Sequence, residues 1–311
     1  MPMVSDIRRH YPDANIDWVV EEGYAQLVRM NPDVRRIIPI ALRRWRKNLL
    51  SAGVRAEIAN FRRQLKRDAY DIVFDTQGLL KTSAVMRMVR LAPGGQRVGL
   101  ANATEGSGYE PLSRLFHTKS IRVGLHTHAV LRARLVAAEA LNYSVDDAAD
   151  FNMRMPAADI EQLPSWLPGE PYAVFFHGTA RAEKQWPSSS WVNVAGLLAE
   201  RGLPVLLPWG SEAERLGAEQ MASQMPNARV LPKLPLMEAV LLAQHATLVV
   251  GVDTGLTHIA AAFMRPTIEL YCDSPRWKTE GNWSPQIINL GDQGAPPTVD
   301  EVALAIGKLL P

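Results

Sequence analysis

One stretch of the chain decides the fold, and it runs Val249-Val250-Gly251-Val252-Asp253-Thr254-Gly255-Leu256-Thr257-His258. Residues 247–250 have the apolar composition of a buried strand, and residues 256–263 have that of a helix. A helix that follows a strand through a short turn exposes its first backbone N–H groups, which have no partner inside the helix. Together with the helix dipole, these donors predict an anion-binding site at the Asp-Thr-Gly turn.

Apolar strand-like segments and helical segments alternate along the rest of the chain, for example residues 172–176 and 188–201. This alternation is typical of parallel sheets that are covered by helices on both faces. At 311 residues the chain suits two domains, and the proline-rich residues 156–171 are interpreted as the linker between them. We therefore predict an α/β protein with two doubly wound, Rossmann-like domains, residues 1–155 and 172–311, which face each other across a cleft.

The first domain departs from the usual pattern at its beginning. Doubly wound domains usually open with a strand, whereas this chain opens with a helix-like segment, residues 3–11. The first strand of such a domain lies in the middle of its sheet. We therefore expect the first domain to lack its first strand, which leaves two interior strands without a shared neighbour.

The composition narrows the class of protein. The chain has a single cysteine, Cys272, so no disulfide can form within it, and this fits a reducing compartment. No apolar run approaches the ~20 residues needed to cross a bilayer, and the N-terminus lacks the apolar segment of a signal peptide. The net charge is only +2, but basic residues crowd the first half. They favour a phosphorylated partner or a membrane surface, although solvated helix faces are an equally good interpretation of any one cluster.

Four turns of the second domain are expected at the carboxyl edge of its sheet, where doubly wound domains bind ligands. In residues 176–187, Thr179 can bond a phosphate oxygen and Lys184 can neutralise one, and an ordinary polar loop is the alternative. In residues 208–214, a carboxylate at a helix start either stabilises the helix dipole or holds sugar hydroxyls. Residues 232–235 are expected to form a wall of the pocket, and the Asp-Thr-Gly turn is the fourth.

Asp253 has two interpretations that the residues alone leave open. As an N-cap it would only satisfy helix donors. As a ligand-binding group it would bond the hydroxyls of a sugar whose phosphate sits on the N–H groups of Thr254, Gly255 and Leu256. His258 lies in the first turn of the same helix, where a lone histidine is more often packed than catalytic.

Motifs of several other site types are missing from the sequence. It contains no Gly-x-Gly-x-x-Gly after a strand, no Gly-Lys-Ser/Thr P-loop and no Gly-x-Ser-x-Gly elbow. No spacing of His, Cys or Asp resembles a metal site. These observations argue against a nicotinamide enzyme, a P-loop enzyme, a serine hydrolase and a metalloenzyme.

The residues of both halves together resemble one family. The second half contributes Val252 to His258, His177-Gly178-Thr179 and Lys184-Gln185-Trp186-Pro187, which are similar to the ADP-heptose:lipopolysaccharide heptosyltransferases. These are inverting glycosyltransferases of the GT-B fold. Residues 17–25, 40–47 and 75–81 narrow the resemblance to the type I enzymes, which add the first heptose to the Kdo of Kdo2-lipid A. The resemblance runs from near Met1 to the last helix.

The resemblance implies a donor site in the second domain. Lys184 would contact the diphosphate of ADP-heptose and stabilise it as it leaves, and Asp253 would hold the pyrophosphate and the heptose. Ala180 stands where the family often has a second hydroxyl, so one phosphate contact is expected to be missing. The other donor-binding residues that the resemblance implies are Thr179, Glu214, Thr254, Gly255, Leu256 and His258.

The resemblance also implies an acceptor site in the first domain, made by Arg43, Arg44, Arg46 and Lys47. These cations would meet the phosphates and carboxylates of Kdo2-lipid A at the inner face of the inner membrane. We therefore expect a cytoplasmic, peripheral membrane protein that acts as a monomer and binds no nucleic acid. No cofactor or metal is expected, because a lysine and helix termini carry the positive charge.

One departure from the family concerns catalysis. The family begins with a strand and a Gly-Asp turn, whose Asp acts as the general base on the acceptor hydroxyl. This chain begins inside the helix that follows, so we expect the base to lie before residue 1, and Asp6, within the helix, is no substitute. A start codon placed too far downstream is the preferred hypothesis. The rivals are a sugar-nucleotide-binding remnant that cannot transfer, and another GT-B enzyme such as a different heptosyltransferase or a sugar-nucleotide epimerase.

Overall fold

The structure is a computed structural model, and it describes residues 1–145, 148–155, 164–179 and 181–311. The chain divides into two compact units, Met1–Arg154 and Met155–Pro311. Most of the expected linker, residues 156–163, lies outside the described residues, as does Ala180. In the part that is described, every helix is too short or too polar to span a bilayer.

The first unit contains two separate parallel sheets. One pairs β1 with β2, and the other has the order β3-β4-β5. Among the described residues β1 and β3 each have a strand neighbour on one side only, as the sequence predicts for a domain without its first strand. The elements are α1 (Pro2–His10), β1 (Ile16–Glu21), α2 (Ala25–Arg29), β2 (Val34–Ile40), α3 (Leu42–Trp45), α4 (Ala52–Lys66), β3 (Tyr70–Asp75), α5 (Leu80–Met88), β4 (Leu91–Leu100), β5 (Lys119–Ile121) and α6 (Ala129–Leu141).

Helix α1 is fixed by a buried ion pair as well as by its apolar side chains. Pro2 occupies the first turn, where its missing N–H costs no hydrogen bond. The Asp6 carboxylate accepts two hydrogen bonds, at 2.6 and 3.0 Å, from the Arg134 guanidinium of α6, and both side chains are almost fully buried. Asp6 therefore lies within the helix, as the sequence predicts, and its charge is already neutralised.

The second unit is built on one six-stranded parallel sheet of order β11-β10-β9-β6-β7-β8. Apolar clusters cover the sheet, and most of its central strand residues are fully buried. The prediction of an α/β protein with doubly wound parallel sheets is confirmed. The elements are β6 (Ala173–Phe176), α7 (Ser188–Glu200), β7 (Val205–Leu207), α8 (Glu212–Ala222), β8 (Ala228–Val230), α9 (Leu236–His245), β9 (Leu248–Val252), α10 (Gly255–Ala262), β10 (Thr267–Tyr271), β11 (Ile287–Gly291) and α11 (Val299–Leu309).

Candidate functional site

The Asp-Thr-Gly turn joins the central strand β9 to helix α10, and its shape depends on Gly251. A Cβ at Gly251 would lie 2.1 Å from the Thr257 hydroxyl and 3.0 Å from the Cβ of Phe176. The Thr257 hydroxyl occupies that space and donates to the carbonyl of Val252 at 2.8 Å, which ties the first turn of α10 to the end of β9. The helix N-terminus is therefore held directly at the carboxyl edge of the sheet, where its N–H groups and dipole favour an anion.

The structure excludes one of the two interpretations of Asp253. Thr254, and not Asp253, occupies the N-cap position of α10, and no side chain caps this helix. The interpretation of Asp253 as an N-cap is therefore wrong. Its carboxylate instead accepts a hydrogen bond from Lys184 Nζ at 2.5 Å and lies 2.9 Å from His258 Nε2. The Thr279 hydroxyl donates to the same carboxylate at 3.3 Å.

Two cations and a hydroxyl thus surround a carboxylate whose side chain is only 11% exposed. Burial alone would raise the pKa of Asp253, but the hydrogen bonds from His258 and Lys184 outweigh it and hold the pKa well below its usual value. Asp253 is therefore a carboxylate at neutral pH. It orients two positive groups beside the N-terminus of α10.

His258 lies between two carboxylates. Its Nε2 faces Asp253, and its Nδ1 lies 2.9 Å from Oε1 of Glu269 on β10. Burial would lower the pKa of this imidazole, but the hydrogen bonds to both carboxylates and their charges raise it to about 9. His258 is therefore packed, as the sequence suggests for a lone histidine, and it is also positively charged at neutral pH.

Lys184 is placed by the tryptophan that follows it. Trp186 is buried, packs edge-on against Trp191 at 5.2 Å between ring centroids, and donates its indole N–H to the carbonyl of Pro297 at 2.8 Å. This anchor fixes the short 3₁₀ turn Ala182–Lys184, which carries the lysine side chain to Asp253. The Lys-Gln-Trp-Pro segment is therefore a support for one amine and not an ordinary polar loop.

Glu214 and the turn before Thr179 lie together at another part of the same edge. The Glu214 carboxylate accepts from the backbone N–H of Gly210 at 2.7 Å and of Ser211 at 3.3 Å, and it completes a capping box at the start of α8. A Cβ at Gly178 would lie 2.7 Å from the Glu214 carboxyl carbon, so only glycine allows this approach. Helix capping is thus an observed role of Glu214, and sugar binding by its other oxygen stays a prediction.

The segment that follows β10 belongs to the site, although the sequence does not reveal it. Thr279 reaches Asp253, and the Arg181 guanidinium donates to the Asp273 carboxylate at 3.0 Å, joining the first turn to this segment. Glu269 is another member that the sequence analysis misses. One signal could have found it, because a single charged residue within the apolar strand Thr267–Tyr271 must have a partner.

The basic segment of the first unit divides into anchored and exposed residues. Trp45 is buried and donates its indole N–H to Glu57 at 2.7 Å. Arg44 forms paired hydrogen bonds with both Glu22 and Glu57, at 2.8 to 3.1 Å, so two carboxylates already neutralise it. The structure therefore pairs the Arg44 guanidinium with protein carboxylates, whereas the sequence predicts that it contacts the acceptor. Arg44 is nevertheless exposed, as are the other cations of this segment, Arg43, Arg46 and Lys47.

Comparisons with known proteins agree with these observations. Residues 58–305 match the model of glycosyltransferase family 9 (heptosyltransferase). The chain is 41% identical over 272 residues to lipopolysaccharide heptosyltransferase 1 of Pseudomonas aeruginosa, which covers 87% of this chain and 74% of that protein. It is also similar to a solved structure of Escherichia coli heptosyltransferase WaaC with ADP, at 34% identity and a TM-score of 0.83, covering 99% of this chain and 94% of that one. A structure of WaaC with ADP-2-deoxy-2-fluoro heptose matches with 34% identity and a TM-score of 0.76, over 99% and 93% of the two chains.

Proposed function

The chain belongs to glycosyltransferase family 9, the heptosyltransferases, and from this premise we propose that it transfers a heptose from ADP-heptose to the Kdo of Kdo2-lipid A. The family expected from the sequence is confirmed by the match to residues 58–305. The donor follows from the WaaC structures, which contain ADP and an ADP-heptose analogue. The similarity to lipopolysaccharide heptosyltransferase 1 and the charged surface of the first unit support the proposed acceptor.

One observation carries the donor half of the proposal, the contact of Lys184 with Asp253 beside the N-terminus of α10. When a nucleoside diphosphate leaves a sugar, negative charge builds up on the phosphate oxygens. A helix N-terminus and a mostly buried amine are groups that stabilise such charge without a metal ion. We place the diphosphate on the N–H groups of Gly255 and Leu256, with Lys184 against its oxygens.

In this mechanism a hydroxyl oxygen of Kdo attacks the anomeric carbon of the heptose from the face opposite the diphosphate. The new carbon–oxygen bond forms as the bond to ADP breaks, so the configuration inverts, and the hydroxyl proton passes to a general base. Lys184 and the α10 N-terminus stabilise the departing ADP, and Asp253 keeps the amine in place until the donor arrives. The residues assembled in the second unit serve the leaving group, and the hydroxyl proton requires a separate base.

The charge of the first unit supports an anionic acceptor. Residues 41–67 contain nine basic residues and a single acidic one, Glu57, whereas the whole chain carries a net charge of only +2. Kdo carries a carboxylate and lipid A carries phosphates, so this segment is complementary to the acceptor in charge. We assign contact with the acceptor to Arg43, Arg46 and Lys47. Arg44 is not assigned to it, because Glu22 and Glu57 already pair with its guanidinium.

An apolar feature beside these cations supports a lipid surface. Leu49 and Leu50 are 54% and 89% exposed, directly after Lys47. Leu49 also lines a cavity of about 160 Å³, whose other lining residues are mainly apolar and include Trp45, together with Arg46 and Arg62. Neighbouring cationic and apolar side chains are typical of proteins that bind anionic membranes. We therefore propose that the protein acts at the inner face of the inner membrane.

The test is to incubate the purified chain with ADP-heptose and Kdo2-lipid A in detergent and to follow the acceptor by mass spectrometry. The expected product carries one additional heptose, and its formation should not require a divalent cation. Binding of ADP-heptose is measured in parallel by calorimetry. Binding without product would support the donor half of the proposal alone, as expected if the general base is missing, and the absence of both would contradict the proposed donor.

A further inference from the structure

Glu269 is a charged residue in the interior of the second unit. It lies in the middle of β10, between β9 and β11, beside Gly251 in the strand register, and its side chain is fully buried. Burying an ionised carboxylate costs several kcal/mol unless hydrogen bonds and an opposite charge compensate it. A strand otherwise made of apolar and neutral residues does not need such a group for packing, so its partners indicate its role.

Three groups surround the Glu269 carboxylate. Its Oε2 accepts from the Tyr271 hydroxyl at 3.0 Å and from the backbone N–H of Gly281 at 2.8 Å. Its Oε1 lies 2.9 Å from Nδ1 of His258. Of these partners only His258 can carry a positive charge, so the compensation of the buried carboxylate depends on the protonation of that ring.

The position of His258 favours the doubly protonated imidazolium. A neutral imidazole has one N–H donor and one lone pair, so with a carboxylate on each side one of the two would face a lone pair. The imidazolium donates to both, from Nδ1 to Glu269 and from Nε2 to Asp253. The pKa of about 9, raised by these two carboxylates against the effect of burial, agrees with this geometry.

We propose that Glu269 is a positioning residue for the ADP-sugar, which keeps His258 doubly protonated and thereby maintains a second cation behind Asp253 when Lys184 turns to the diphosphate. This inference rests on the proposed donor site. The charged and titratable groups around the ring are Asp253 on the turn, Glu269 on β10, Lys184 beyond Asp253 and Tyr271 beyond Glu269. With the donor absent, two carboxylates balance two cations. With the donor bound to Lys184, Asp253 would still be paired with the His258 imidazolium.

The test replaces Glu269 by glutamine, which has the same shape. The glutamine carbonyl can accept from Tyr271 and Gly281, and its amide can donate to Nδ1 of a neutral ring, so the charge is removed while the hydrogen bonds remain. In ¹⁵N-labelled protein, the His258 ring titration is assigned by its loss in a His258→Asn variant. We expect Glu269→Gln to lower the pKa of His258 by about 1.5 to 2 units, within the range that one adjacent charge produces.

Donor binding supplies the functional readout. We expect the affinity of the native protein for ADP-heptose, which has no terminal phosphate, to be nearly constant from pH 6 to 8, and that of Glu269→Gln to fall about 3- to 10-fold at pH 8 and to recover at pH 6, where the ring is protonated again. Tyr271→Phe is the matched control, since it removes a hydrogen bond from Glu269 without changing a charge, and its pH profile should follow that of the native protein.

Several results would overturn the inference. A His258 ring that is neutral in the native protein at pH 7.5 would do so without any variant, even if Glu269→Gln failed to fold. An unchanged His258 titration in Glu269→Gln, or a loss of affinity that is equal at pH 6 and pH 8, would leave Glu269 a purely structural role. If instead the His258 titration moves as expected but ADP-heptose does not bind the native protein, the proposed function fails and the charge relation between the two residues stands.

Discussion

Replacing Lys184 by methionine tests the donor site most directly. Methionine retains an unbranched apolar side chain of similar length and removes the ammonium group, with its charge and its hydrogen-bond donors. The Lys184 side chain is 21% exposed and its partner Asp253 is 11% exposed, so a bond from this amine to a phosphate is only partly screened by solvent. A charge-assisted hydrogen bond contributes about 1.5–3 kcal/mol, and about 1.4 kcal/mol corresponds to a tenfold change in affinity.

The donor does not gain this energy in full, because Lys184 is already bound to Asp253 in the empty site. The bond from Lys184 to the phosphate partly replaces its bond to Asp253. We therefore expect the dissociation constant of ADP, measured by calorimetry, to rise about 10- to 30-fold in Lys184→Met, which corresponds to the lower part of the 1.5–3 kcal/mol range. The affinity for adenosine, which has no phosphate, should not change.

The matched control is Arg181→Met in the same loop. Arg181 is 56% exposed and is paired with Asp273, so its charge is more strongly screened, and the ADP affinity of this variant should change less than threefold. The reasoning is refuted if Lys184→Met binds ADP within twofold of the native protein while its thermal unfolding is unchanged. A loss of adenosine binding equal to the loss of ADP binding would show instead that the whole site had rearranged.

Three further predictions concern stability and the membrane. Gly251→Ala should lower the free energy of unfolding in urea by about 2–3 kcal/mol, because the added Cβ overlaps the Thr257 hydroxyl. The double variant with Thr257→Ala should regain part of this loss. An unchanged free energy in the single variant would contradict the described packing. The pKa of His258 is raised from 6.5 to about 9 in the folded protein, so its stabilisation is complete below pH 6.5 and is lost as the pH rises through 9. This amounts to about 3 kcal/mol, and thermal melts at pH 6.5 and 9.5 should show a smaller difference in a His258→Asn variant. Leu50→Ser should weaken sedimentation with anionic liposomes about threefold or more, while Leu115→Ser, a similarly exposed leucine of the same unit, should not, and equal effects would argue against a specific lipid contact.

The sequence predicts those parts of the site that depend on local order along the chain. The strand, the Asp-Thr-Gly turn and the helix follow one another within residues 247–263, so their hydrophobic pattern and turn residues are sufficient. The same holds for the two interior strands that lack a common neighbour, because the order of strands in a doubly wound domain predicts which one is central.

The parts that the sequence does not predict depend on pairs that are distant along the chain. Glu269 lies 11 residues from His258, and Thr279 lies 26 residues from Asp253, with a strand between them. Arg44 resembles its basic neighbours in the sequence, and only the structure shows that Glu22 and Glu57 neutralise it. A charge in a sequence is therefore a weak indication of an available charge until its partners are known.

The same consideration explains why the donor site needs two cations around one carboxylate. In the empty site Asp253 bonds to both Lys184 and His258, which compensates a carboxylate that is largely removed from solvent. In the proposed mechanism a diphosphate competes with Asp253 for Lys184. If Lys184 were the only partner, each binding event would leave a buried charge uncompensated at a cost of several kcal/mol. Because His258 remains on Oδ1, the amine can move to the phosphate at a much smaller cost. In the proposed donor site, the histidine that the sequence suggests is merely packed is thus the group that would allow Lys184 to act on the donor.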